Sequence, residues 1–163
     1  PNGQSFVIWD DSQLHVRDIQ TGETLFLTNE LPGTRLKDVI WSEDGESLLI
    51  FSETGDWQIR RLADSRVWAG PQASTLEIAI HDAIFAPSGD TIAAVGKSAE
   101  TWYLDSVPYD LYLYDFETRN VQRIERSLPA SWKGKLRFSP DGSRLFILDI
   151  NAGTVNILRF VEG

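Results

Sequence analysis

The chain has 163 residues, 42% hydrophobic and 24% charged, with a formal net charge of −9. That is apolar enough for a core and too evenly mixed in charge for a disordered chain. An acidic chain with no Lys/Arg cluster lacks the basic face that displaces counterions from nucleic acid, and anionic membranes are disfavoured for the same reason. The absence of cysteine excludes disulfides, thiolate metal sites and cysteine nucleophiles, and no apolar run approaches the roughly 20 residues that span a bilayer.

In chain order, a turn at Pro1-Asn2-Gly3 is followed by alternating runs at Ser5–Trp9, Gln13–Ile19 and Thr24–Leu27. A second set follows at Leu36–Trp41, Ser47–Phe51, Trp57–Leu62 and Arg66–Trp68. A third lies at Asp82–Phe85, Thr91–Val95, Asp110–Phe116 and Val121–Ile124, and a fourth at Lys135–Phe138, Arg144–Leu148 and Thr154–Phe160. Period-two alternation over such short runs predicts strands, and the Gly, Asp, Asn and Thr between them predict hairpin turns.

The runs form a repeat. "WSEDGESLLIFS", "FAPSGDTIAAVG" and "FSPDGSRLFILD" align with the opening segment on Gly3, Gly45, Gly89 and Gly142, in steps of 42, 44 and 53 residues. Steps in the forties suit a four-stranded propeller blade. A second set of alternating runs, "LHVRDIQTGE", "WQIRRLADSR", "LYLYDFETRN" and "VNILRFVEG", keeps the same register. These runs place Leu14/Val16, Trp57/Ile59, Leu111/Leu113 and Val155/Ile157 on one face and converge on Ile19, Leu62, Phe116 and Phe160.

The pattern Phe-Ser-Pro-Asp-Gly-x-x-Leu, a strand ending in aromatic-Asp, and then hydrophobic-x-Thr-Gly resembles the blades of WD-repeat and TolB-type β-propellers. Tyr114-Asp115 stands where the WD-repeat has Trp-Asp; Asp18 is kept with Arg17 at the aromatic site; no Gly-His pair precedes a first strand. The resemblance implies an all-β propeller segment of about four antiparallel blades, at residues 1–30, 31–76, 77–128 and 129–163. The first lacks its strand A and the last its strand D. Open sheet edges at both ends invite pairing, so the remainder of its own chain or another chain is expected to complete the propeller.

Chemistry-bearing motifs are sparse. Asp44 and Asp141 sit in Asp-Gly turns, where Asp tolerates the backbone that a tight hairpin needs, and no calcium-loop spacing surrounds them. His15 and His81 are 66 positions apart. His81 is expected to be structural, because in WD-repeats a His near that position joins a hydrogen-bond network, and His15 to be a surface or packing residue. Gly96-Lys97-Ser98 lacks the glycine and the helix of a phosphate loop, and no Gly-x-Ser-x-Gly elbow exists. No metal, cofactor or catalytic residue is therefore expected.

The informative residues are aromatic. Connections alternate between the two ends of an up-and-down sheet, so the longer ones, Asn29–Arg35, Ala69–His81, Lys97–Tyr109 and Glu125–Gly134, are expected on one face. Trp102, Tyr103, Leu104, Tyr109 and Trp132 fall there, away from the blade positions. Loops on a rigid scaffold carry function, and large aromatics dominate interfaces. The expectation is a non-enzymatic module or scaffold that binds a protein or peptide through these residues. Its alternative is a substrate-gating propeller of a larger hydrolase, like those of prolyl-oligopeptidase-type enzymes. The structural reading of the same aromatics is that they fold back over a blade edge and stabilise the insertion.

Overall fold

The computed structural model describes residues 3–10, 12–29, 35–64, 67–69, 78–98, 100–115 and 118–160. They contain fourteen strands and no helix: β1 (Ser5–Trp9), β2 (Leu14–Asp18), β3 (Thr24–Thr28), β4 (Leu36–Trp41), β5 (Ser47–Ser52), β6 (Trp57–Arg61), β7 (Val67–Ala69), β8 (Ile78–Phe85), β9 (Thr91–Ser98), β10 (Tyr109–Asp115), β11 (Asn120–Leu128), β12 (Gly134–Phe138), β13 (Arg144–Asp149) and β14 (Thr154–Arg159). Each pairs antiparallel with its sequence neighbours, in sheets β1-β2-β3, β4-β5-β6-β7, β8-β9-β10-β11 and β12-β13-β14. The all-β reading, with three strands in the first and last sheets and four in the middle two, holds.

The chain divides into two compact units, Pro1–Thr75 and Leu76–Gly163. In the first, Leu14, Val16 and Phe26 pack with Val39, Leu48 and Ile50. In the second, Ala93, Val95, Leu111 and Leu128 pack with Trp132, Leu136, Leu145 and Ile147. The alternating positions that supply these residues follow from the pleat, which turns every second side chain to one face. Every residue of β5 is buried, so that strand is covered on both faces. In β14 the same alternation leaves Val155 58% and Ile157 48% exposed. Of the four convergent residues, Leu62 and Phe160 pack against their units' cores. Ile19 is 52% exposed, and Phe116 lies outside the described residues.

The third sheet departs most from the expectation. β8 begins at Ile78, four residues before Asp82, and β11 runs on to Leu128. Residues 78–81 and 125–128 are therefore strand, where connections were expected. The cause is continued pairing: Ile78 sits opposite Ser98, and Tyr109 opposite Leu128. Much of the long last step of the repeat is thus spent on longer strands, leaving residues 100–108 and 129–133, among the described residues, as the connections.

The β12–β13 turn shows how the repeated motif works. The Ser139 N–H donates to the Arg144 carbonyl (2.9 Å), and the Gly142 N–H donates to the Ser139 carbonyl (2.9 Å). The Ser139 hydroxyl donates to Asp141 and accepts from the Arg144 N–H. Gly142 has φ +71°, the left-handed region that side chains disfavour. The hydroxyl of Ser139, then the N–H and hydroxyl of Ser143, hold the Asp141 carboxyl down to about 2, from an ordinary 3.8. Ser42, Asp44 and Gly45 repeat the arrangement in β4–β5. The Asp residues are turn formers, as their sequence context predicts.

In the β2–β3 turn the Asp18 carboxylate accepts from the Gln20 and Thr21 N–H groups, and after β10 Asp115 accepts from the Thr118 N–H. Gly22 closes the first of these turns at φ +71°, and Arg119 stands at the matching place in the second with φ +58°.

Asp82 links the third sheet to the fourth. A bulge in β8 pairs Ile80 with Gly96 and Asp82 with Val95, leaving His81 as the extra residue. The buried Asp82 carboxylate accepts from the Leu136 N–H and the Lys135 ammonium, both at 3.0 Å.

Two stability measurements check this description. Asp82→Ala is expected to lose about 2 kcal/mol in urea unfolding, because it orphans a buried N–H, and Asp82→Asn to lose less. An Ala variant as stable as the parent would show that the link carries no load. Arg119→Gly is expected to gain about 0.5 kcal/mol, the relief of left-handed strain exceeding the added freedom of the unfolded chain. A fall in the unfolding midpoint would contradict that.

Candidate functional site

The five aromatic and apolar residues singled out in the sequence separate into a buried group and an exposed one. Tyr109 opens β10, where it is half-buried. Its ring centroid lies 4.8 Å from that of His81 and 6.0 Å from that of Trp132. His81, turned out of register by the bulge, lies 5.6 Å from Trp132 at 68°. The three rings meet edge to face or tilted, as ring quadrupoles prefer.

Trp132 departs from the expectation of an exposed anchor. It is 1% exposed, belongs to the core of its unit, and donates its indole N–H to the Leu148 carbonyl at 3.1 Å. Gly134 makes room for this: a Cβ there would stand 1.7 Å from the Leu148 carbonyl oxygen and 2.9 Å from the Trp132 ring. Trp132 therefore follows the structural reading of the aromatics, and it offers a partner almost no surface.

Lys97 holds the connection 100–108 down. It is 4% exposed although charged. Its ammonium lies 4.4 Å from the Tyr109 ring centroid and donates to the Leu104 carbonyl at 2.8 Å. A buried ammonium needs such partners to offset lost hydration. Successive turns complete the hold: Thr101 N–H to the Ser98 carbonyl, Leu104 N–H to that of Thr101, and Val107 N–H to that of Leu104. Burial first, and then the Asp105 charge, push the Tyr109 phenol above its ordinary value.

The same loop presents Trp102, 43% exposed, Tyr103, 65%, and Leu104, 39%. The Trp102 and Tyr103 rings stand 6.2 Å apart at 85°, forming a right-angled apolar corner. Exposed Glu100 and Asp105 flank it. Among the described residues, no group of three His, Cys, Asp or Glu is placed to hold a metal ion.

Two members of this site carry no site motif in the sequence: Lys97 stands in an incomplete phosphate-loop pattern, and His81 is expected only as a hydrogen-bonding residue. The available signal was a lysine closing the apolar run Ile92–Gly96, a place where a charged side chain must find partners. Of the two histidines, His15 is half-buried, with Nε2 3.1 Å from the Gln13 side-chain oxygen.

The chain matches no protein-family profile and no curated protein sequence. Among solved structures it resembles the crystal structure of the Myceliophteria thermophila Cps50 (Swd1) β-propeller domain, with a TM-score of 0.67 at 14% identity. The likeness covers 98% of this chain and 51% of that one. The fold is therefore that of a β-propeller segment. The chain spans about half the length of that neighbour, and identity this low speaks to fold alone.

Unfolding experiments separate the two aromatic groups. Trp132→Ala is expected to cost about 3–5 kcal/mol, as emptying a packed aromatic site does. Trp102→Ala and Tyr103→Ala should each cost less than about 1 kcal/mol. Equal losses at all three positions would mean that the loop tip is itself part of the core.

Proposed function

We propose that this chain is a non-enzymatic protein-interaction module that binds a protein or peptide through the tip of the 100–108 loop. The carrying observation is that three consecutive large apolar side chains, Trp102, Tyr103 and Leu104, are exposed on a loop held by a buried lysine. Fully burying a large apolar side chain contributes about 1.5–3 kcal/mol, and covering the exposed part of each of these contributes the corresponding fraction. A loop already held in one shape loses little entropy on binding, so more of that gain appears as affinity. Tyr109 and Trp132 serve the site from beneath, as its support.

The flanking carboxylates and the charge of −9 favour a protein surface over nucleic acid or an anionic membrane. A second partner surface is the β14 edge, where Val155 and Ile157 are exposed. A strand from the remainder of the chain or from another chain fits there by edge addition.

Affinity capture of partners from the source extract, with in-cell crosslinking at the loop, tests the tip. Trp102→Ala/Tyr103→Ala should weaken capture at least tenfold while the melting temperature moves by no more than about 2 °C. A crosslinked partner set and capture strength identical to the parent's would sink the proposal.

A further inference from the structure

A second site lies at the opposite ends of the third and fourth sheets. The β8–β9 and β12–β13 turns emerge away from the loop tip, because successive connections of an antiparallel sheet alternate between its ends. These turns approach each other: a Cβ on Gly142 would lie 3.7 Å from Pro87. Between them and the end of β14 is a concave space of about 970 Å³, walled by Pro87, Ser88, Pro140, Ser143 and Phe160 among others.

Two arginines open onto this space. Arg144 of β13 and Arg159 of β14 both line it, and they are direct register partners across the two strands. Paired residues project from the same face with Cβ atoms about 4.5–5.5 Å apart, and like charges placed so are destabilising. Both residues are exposed, and among the described residues neither guanidinium has an ion-pair partner. A mixed-charge surface ordinarily sets opposite charges in such a pair, and a chain carrying nine excess negative charges has ample carboxylates to do so.

Among the described residues, the one carboxylate lining the space is Asp141. Its oxygens accept from the Ser139 and Ser143 hydroxyls and the Ser143 N–H, so they are already engaged within the turn. The arginine fork is left to hold an oxyanion from outside. Guanidinium matches carboxylate geometry through paired N–H donors. Pro87, Pro140 and Phe160 offer apolar contact beside it, and the volume suits a short peptide rather than an ion alone.

We infer that this space is a peptide-binding groove that takes a segment with an Asp or Glu side chain next to a large apolar residue. The carboxylate sits between Arg144 and Arg159, and the apolar neighbour lies against Phe160 and the two prolines. The groove is separate from the loop tip, so either site can fail without the other.

The experiment is selection from a displayed random-peptide library on the intact protein, followed by anisotropy titration of an enriched peptide. Acidic peptides are repelled by most of an acidic surface, so their enrichment requires a local basic site. The expected result is enrichment of Asp or Glu beside an apolar residue, with binding weakened at least tenfold by Arg144→Gln and by Arg159→Glu. Arg159→Glu replaces a like-charge pair with an opposite-charge one, so its melting temperature should equal or exceed the parent's, which separates lost binding from lost folding. Trp102→Ala should leave this binding unchanged. Selection without acidic enrichment, or acidic binding that survives Arg159→Glu, overturns the inference.

Discussion

The closure of Trp132 beneath the Leu148 carbonyl is the constraint around which the second unit is arranged. The ring needs a strand passing close over it, and the strand can pass close only because residue 134 has no side chain. Once in place, the indole fills the gap where β11 turns into β12, and its edge supports His81 and Tyr109. Tyr109 in turn offers its face to the Lys97 ammonium, which holds the Leu104 carbonyl. A core contact is thereby passed outward, through two aromatic rings and one buried charge, to an exposed loop. Sheet packing supplies the stiffness, and the loop presents the apolar surface.

A polar group joins the third sheet to the fourth. The Asp82 carboxylate meets a backbone N–H of β12 and the lysine before it. A burial term has no direction, whereas a charge-assisted hydrogen bond fixes distance and angle. The bulge that displaces His81 also changes the register next to Asp82, so one irregularity in β8 serves both the aromatic cluster and the inter-sheet link. The two ends of the unit are chemically unlike. One carries the apolar corner with its acidic flanks, and the other sets two arginines beside prolines.

Much of the fold was legible in the sequence because its signals are local. Turn motifs such as Ser139-Pro140-Asp141-Gly142 form from hydrogen bonds within a few residues, and strand alternation is a property of the pleat. That is why strand positions came out within a few residues in every sheet. The errors fell where pairing between distant residues extends a strand. Nothing near Ile78 announces its pairing with Ser98, and nothing near Leu128 announces Tyr109. The candidate site was only half legible. Composition and loop position single out Trp102 and Trp132 alike, and burial is what separates them.

The sequence by itself determined the repeat, the strand order, the turn chemistry and the absence of local metal-loop, phosphate-loop and nucleophile-elbow motifs. All of these depend on short-range geometry and residue type. Tertiary structure alone decided that Trp132 is core and Trp102 surface, that Lys97 is a buried tether, and that Arg144 and Arg159 share one groove with Pro87. Each of those facts depends on which distant residues the sheets bring together. A side chain's surroundings are set by neighbours far away in the chain, and its own few flanking residues do not record them.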